Sequence, residues 1–141
     1  MSRIRAVCAV GCLAVGLLAR PAAAQISVIA SPSQSQTLRA DQVAEIFAGT
    51  TVTWPNGQKV QLVEIGDPVL AQLFYAKVVR KPSSVVRAQW TKLALSGQAL
   101  APQRPGDAAA VKALVARTPN AIGYIKAADL DGSVKELVKV P

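Results

Sequence analysis

Ile46-Phe47-Ala48-Gly49, followed closely by Thr53-Trp54-Pro55-Asn56-Gly57 and later by Pro119-Asn120-Ala121-Ile122-Gly123-Tyr124, are the stretches whose reading decides the fold. Ahead of the first, Val43, Ile46 and Phe47 recur at helical spacing from Ala40, and Gly49 stands where a left-handed C-terminal cap is wanted. Trp54 and Pro55 lead into Asn56-Gly57, a pair that favours a tight turn, and the apolar run Val60 to Ile65 beyond it reads as a strand. Pro119 stops whatever helix precedes it, and Ile122 to Ile125 reads as another strand.

Working outward, Ile26 to Ala30 is a short β-branched run that ends at Ser31, Pro32 and Ser33, which predicts a buried strand and a turn. Gly66, Asp67 and Pro68 form the next junction, with Asp67 suited to an N-cap and Pro68 to the first helical position. The helix so started points Leu70, Leu73, Phe74 and Val78 to the core and breaks near Lys81 and Pro82. Ser83 can cap a further helix with Val86, Trp90 and Leu93 on one face, ending at Gly97, and Ala99 to Pro105 is a Pro-containing loop. Asp107 caps a fourth helix with Val111, Leu114 and Val115 inward, and Val134 to Val138 is a last strand. Strands alternating with helices predict an α/β sheet with helices on its faces. There is no internal repeat.

Together, in this order, the three stretches resemble the phosphate-binding periplasmic protein family, the solute receptors of phosphate import systems. There a helix ending in a similar Ile-Phe-x-Gly enters a Trp-containing turn, and a Gly-Ala-Ile-Gly-Tyr-like strand closes the same lobe. The resemblance covers most of Ile26 to Val138. It implies one lobe of a type II periplasmic binding protein, a central mixed sheet of about four strands flanked by helices. Receptors of that family close two lobes around their ligand, and this sequence has room for one.

Size and export point the same way. Arg3 and Arg5, the apolar run Ala6 to Ala19, and Ala22-Ala23-Ala24 before Gln25 read as a secretory signal, residues 1–24, with cleavage near Ala24 and a periplasmic or secreted product. A membrane anchor needs about 18 or more apolar residues, and Arg20 and Pro21 interrupt the run first. Removing 24 of 141 residues leaves 117, residues 25–141, which suits one domain. Both cysteines, Cys8 and Cys12, fall in the removed segment, so no disulfide framework is expected. The formal charge falls from +8 to +5 with the loss of Arg3, Arg5 and Arg20, and the excess is spread over Lys77, Arg80, Lys81, Arg87, Lys92 and Arg117 rather than packed in a block. That is the pattern of a solvated basic surface. Aromatics are too few for a nucleic-acid stacking platform.

The expected mature chain has no His and no Cys, which removes the usual neutral-pH base, the thiolate nucleophile and the commonest transition-metal ligands. We therefore expect no enzyme, no metal and no cofactor. Lys92 and Ser96 lie one helical turn apart and read as a surface lysine beside a helix-terminal serine rather than a dyad. Asp129, Asp131 and Gly132 resemble the middle of a calcium loop, but Ala127 and Val138 stand at its ligating ends, so a turn is expected. Trp54, Trp90 and Tyr124 read as packing residues.

In the resembled family an Arg on the second strand and a Ser-Gly-Thr run at the following helix start grip the phosphate. Here the strand ends in Glu64 and Ile65, and Pro68, Val69 and Leu70 stand where the hydroxyl-bearing run would lie. Glu64 and Asp67 place negative charge where an anion would approach, and Asp67 would itself take the helix amides. The polar groups left for a ligand are Ser31, Ser33 and Ser35 after the first strand, with Gly66 and Asp67 at the second junction. The expected role is an exported solute-binding protein taking a small oxyanion or polar solute for a membrane transporter. The competing expectation is an interaction module that keeps the fold without a ligand and docks on a membrane or periplasmic partner, or on a second copy as a homodimer.

Overall fold

The computed structural model describes residues 25–141, so the predicted signal segment with Cys8 and Cys12 lies outside the described residues. Four strands form one mixed sheet: β1 (Ile26–Ala30), β2 (Gln61–Val63), β3 (Ala121–Lys126) and β4 (Lys135–Val140), in the order β2-β3-β1-β4. Strand β3, which follows Pro119, is an inner strand beside β1. It runs parallel to β2 and antiparallel to β1, pairing Val63 with Gly123 and Ala30 with Ile122. β4 lies antiparallel on the far side of β1, with a register shift beside Val28 and Ile29.

Both faces of the sheet are covered, which is why β1 is buried along its whole length instead of alternating. Helix α4 (Ala108–Arg117) packs on one face, where Val111 and Val115 approach the bare backbone of Gly123. A Cβ at Gly123 would lie 3.0 Å from the Val63 carbonyl oxygen, so the close contact of β3 with β2 uses the missing side chain. On the other face sit α1 (Ala40–Ala48), α2 (Pro68–Phe74) and α3 (Ser83–Leu95). Phe47, Phe74, Tyr75 and Tyr124 meet there, with Phe74 stacked on Tyr124 at 4.0 Å between centroids.

The motifs read in the sequence hold one another. Gly49 ends α1 at φ 78° and Gly57 turns at φ 88°. The Trp54 indole donates to the Asn120 carbonyl at 2.9 Å, the Asn120 amide donates to the Lys59 carbonyl, and Trp90 donates to the Phe47 carbonyl at 3.0 Å. All three aromatic packing residues are buried as expected. Asp67 caps α2 and Asp107 caps α4 through their carboxylates. At α3 the N-cap position falls to Pro82, so Ser83 is the first helical residue and not the cap.

One helix departs from its predicted period. After Phe74 the chain widens into a π-turn, Tyr75–Val79, closed by Arg80 in the left-handed region at φ 59°. The extra residue rotates the sequence on the core, so Tyr75 and Val79 are buried while Val78, expected inward, is half-buried. No helix among the described residues is long and apolar enough to cross a membrane.

Candidate functional site

Glu64 follows β2 directly and is 2% exposed. A carboxylate so deep needs partners, and three separate segments supply them. The π-turn turns the Tyr75 hydroxyl inward, where it donates a hydrogen bond to Oε1 of Glu64. From α3, Arg87 brings its Nε to 3.9 Å from Oε2. From the segment between α3 and α4, Arg104 Nη2 reaches 3.0 Å from the same oxygen. That contact is an ion pair without an aligned hydrogen bond, since Oε2 has no hydrogen-bond partner. Tyr124, on β3, has its hydroxyl buried and unpartnered.

Arg104 owes its position to backbone pairing that the sequence did not announce. The predicted loop Ala99 to Pro105 runs beside β2 as a partial fifth strand: Gln103 N donates to the Leu62 carbonyl and Glu64 N to the Gln103 carbonyl, both at 2.9 Å. The Gln61 side chain adds a 3.0 Å bond to the Ala101 carbonyl. Gly66 N then donates to the Gly106 carbonyl, and a Cβ on Gly66 would lie 2.6 Å from that oxygen. The outer edge of β2 is thereby covered, and Arg104 is laid across the acid.

Burial is the main reason that the phenols of Tyr75 and Tyr124 are both pushed far above the usual tyrosine range, and the Glu64 charge adds to it. Both remain neutral hydroxyls at physiological pH. The three charged groups sum to one net positive charge, and the Arg87 and Arg104 side chains are 42% and 45% exposed. With Glu64 they line a cavity of about 510 Å³ walled further by Trp90, Thr91, Ala94, Leu95, Ala101 and Pro102. The spacing from Arg87 through Trp90 and Thr91 to Ala94 and Leu95 is one stripe of α3.

Gly66 and Asp67 lie at this same end of the sheet. Asp67 Oδ1 accepts from the amides of Val69 and Leu70 at 3.0 and 3.1 Å, so these helix-start donors are engaged internally. The serines lie at the opposite end. β1 runs against β2, and Ser31 Oγ donates to the Ala116 carbonyl near the end of α4. Gly66 meets the chain just before the start of α4, so the two groups are separated by roughly 13 Å of helix and do not converge on one small molecule. Ser31 and Ser33 join their hydroxyls at 2.9 Å, and Ser35 is exposed.

The other expectations about chemistry resolve locally. The Ser96 hydroxyl donates to the Leu93 carbonyl. Asp131 binds Lys112 at 2.7 Å and Ser133, which hold its carboxyl well below the usual range and tie the turn before β4 to α4. Among the described residues no cluster of His, Cys, Asp or Glu could hold a metal ion. Sequence reasoning placed Glu64 at the junction but missed Tyr75, Arg87 and Arg104. Arg87 was visible as part of the dispersed positive charge, and nothing local marked the other two.

No protein-family profile matches the chain, and no curated protein does. Solved structures do. A Clostridium perfringens protein assigned as a phosphate ABC transporter substrate-binding protein, solved with bound phosphate, is similar over 81% of this chain and 45% of its own, at 20% identity and TM-score 0.63. An ABC-type phosphate transport receptor from Vibrio cholerae matches at 19% identity and TM-score 0.52, over 81% of this chain and 46% of its own. A Planctomyces limnophilus protein whose structure is described as that of 'a possible phosphate binding protein' matches over 81% of this chain and 41% of its own, at 12% identity and TM-score 0.56. The chain spans less than half the length of each of these and has the fold of that part of them.

Proposed function

We propose that this chain is an exported binding protein for a small anionic solute, held between Arg87 and Arg104 at the carboxyl end of β2. The carrying observation is the pair of half-exposed guanidiniums over the buried Glu64, opening on a cavity of about 510 Å³. Cavities of this size suit small molecules, and strand carboxyl ends are where open α/β sheets take them. The negative charge of Glu64 is outweighed by the two arginines beside it, so an incoming anion meets a net positive site. The likeness to solved phosphate-binding proteins supports binding rather than catalysis, and the buried acid, locked by Tyr75 and two arginines, is poorly placed to exchange protons with a substrate. In this reading the solute passes to a membrane transporter.

Isothermal titration of the purified protein with phosphate, with sulfate and acetate at matched ionic strength, tests the reading. Saturable binding of any of them that weakens in Arg104→Gln sustains it. Flat titrations with folded protein sink it.

A second reading has its own observation. Val69, 75% exposed in the first turn of α2, and Leu95, 84% exposed on the cavity wall, present apolar surface around this end of the sheet. A fold that matches less than half of each structural neighbour would show such surface if it docked there on another protein or on a second copy. A molecular mass that rises with concentration would favour it.

A further inference from the structure

We infer that the anion taken by this site is a monoanionic organic acid with an apolar body, and not free phosphate. The inference deepens the proposed function and rests on it.

Charge gives the first reason. Glu64, Arg87 and Arg104 leave a surplus of one positive charge, which one carboxylate neutralises. Phosphate near neutral pH carries up to two negative charges, and the second would face the Glu64 carboxylate without a matching cation. Among the described residues no other charged side chain lines the cavity.

Donor supply is the second. Free phosphate exchanges a dense hydration shell for hydrogen bonds and needs many donors around all its oxygens. The charged side-chain donors of this cavity are two guanidiniums, which also pair with Glu64. The nearby helix-start amides of Val69 and Leu70 are bonded to Asp67, and the Thr91 hydroxyl donates to the Arg87 carbonyl at 2.9 Å. A planar carboxylate has two oxygens and fits the guanidinium fork.

The wall is the third. Beyond the arginines the cavity is bounded by Trp90, Ala94, Leu95, Ala101 and Pro102, which cannot solvate an inorganic ion but can cover methylene groups. A ligand with its carboxylate on Arg87 and Arg104 would lay its carbon chain along the Ala94–Leu95 side.

Titration with acetate, hexanoate, phosphate and sulfate at matched ionic strength decides it. Hexanoate should bind at least about tenfold tighter than acetate and than either inorganic anion, because only it adds buried apolar area. Leu95→Ser, at a position exposed enough to spare the fold, should shrink the hexanoate advantage and leave acetate unchanged, and Arg104→Gln should weaken both. Phosphate or sulfate binding as tightly as hexanoate would overturn the inference while leaving the anion-binding reading standing. Hexanoate binding indifferent to both substitutions would overturn it by placing the ligand elsewhere. No binding of any of the four would remove both readings and leave the interaction module.

Discussion

Nη2 of Arg104 lies 3.0 Å from Oε2 of Glu64, so a residue from an irregular segment closes over an acid at the end of a core strand. The relationship depends on backbone: the hydrogen bonds of Gln103 with Leu62 and Glu64 fix the segment, and Arg104 follows. Arg104→Ala should therefore leave the fold intact. It removes one of two cations from Glu64, and because Arg104 is half exposed the loss is expected at only about 1 kcal/mol. Urea unfolding of the two proteins measures it, and a loss several times larger would mean that Arg104 also holds the segment in place.

The chain has two tyrosines, Tyr75 and Tyr124, and both are buried beside Glu64. Their phenols ionise far above the usual range when folded and near pH 10 when unfolded. The stabilising effect is fully present below about pH 10 and is lost as pH rises further, since only the unfolded chain then gains phenolate. Phenolate absorbance should stay absent from the folded protein past pH 10 and appear together with the unfolding transition. A gradual rise near pH 10 in folded protein would show that at least one hydroxyl reaches water.

Much of the fold was legible because its signals are local. Gly49 as a left-handed cap, Asp67 and Asp107 as N-caps and Asn56-Gly57 as a turn each act within a few residues, and each stands where the sequence put it. The site was legible only at Glu64. Tyr75 was hidden by the π-turn, whose single extra residue cannot be seen in a 3.6-residue pattern. Arg104 was hidden because Ala99 to Pro105 has no strand pattern of its own and becomes strand-like only by pairing with β2. Convergence of residues 64, 75, 87 and 104 is a property of the assembled sheet, not of any segment.

Gly66→Ala tests the clasp that brings that segment home. The new Cβ would lie 2.6 Å from the Gly106 carbonyl oxygen, and backbone must shift to admit it. A loss of about 1–3 kcal/mol in urea unfolding is expected. Weakened anion binding should accompany it, because displacement of Gly106 also displaces Arg104. Gly132→Ala, where a Cβ meets nothing within 4 Å, serves as the control and should change neither.

Asp67 separates capping from binding. Asp67→Ala frees the amides of Val69 and Leu70 and should cost about 1 kcal/mol, whereas Asp67→Asn keeps an accepting oxygen and should cost little. Thermal unfolding of both variants gives the comparison. Equal losses would mean that the charge rather than the hydrogen bonds of Asp67 steadies α2.

Glu64→Gln sets stability against binding. The amide oxygen can still accept from Tyr75, so the buried hydroxyl keeps its partner. What disappears is the negative charge between Arg87 and Arg104, and the guanidiniums then face each other without a counter-ion. Folding should weaken by about 1–2 kcal/mol, moderated by the half exposure of both arginines. Anion affinity should move the other way, because an added carboxylate now supplies the missing charge and meets no repulsion. A rise of roughly tenfold in acetate affinity is expected, which corresponds to about 1.4 kcal/mol. The opposed directions are diagnostic. A purely structural Glu64 would lower stability and leave acetate binding absent or unchanged, whereas an acid that touches the ligand as an acceptor would lower both.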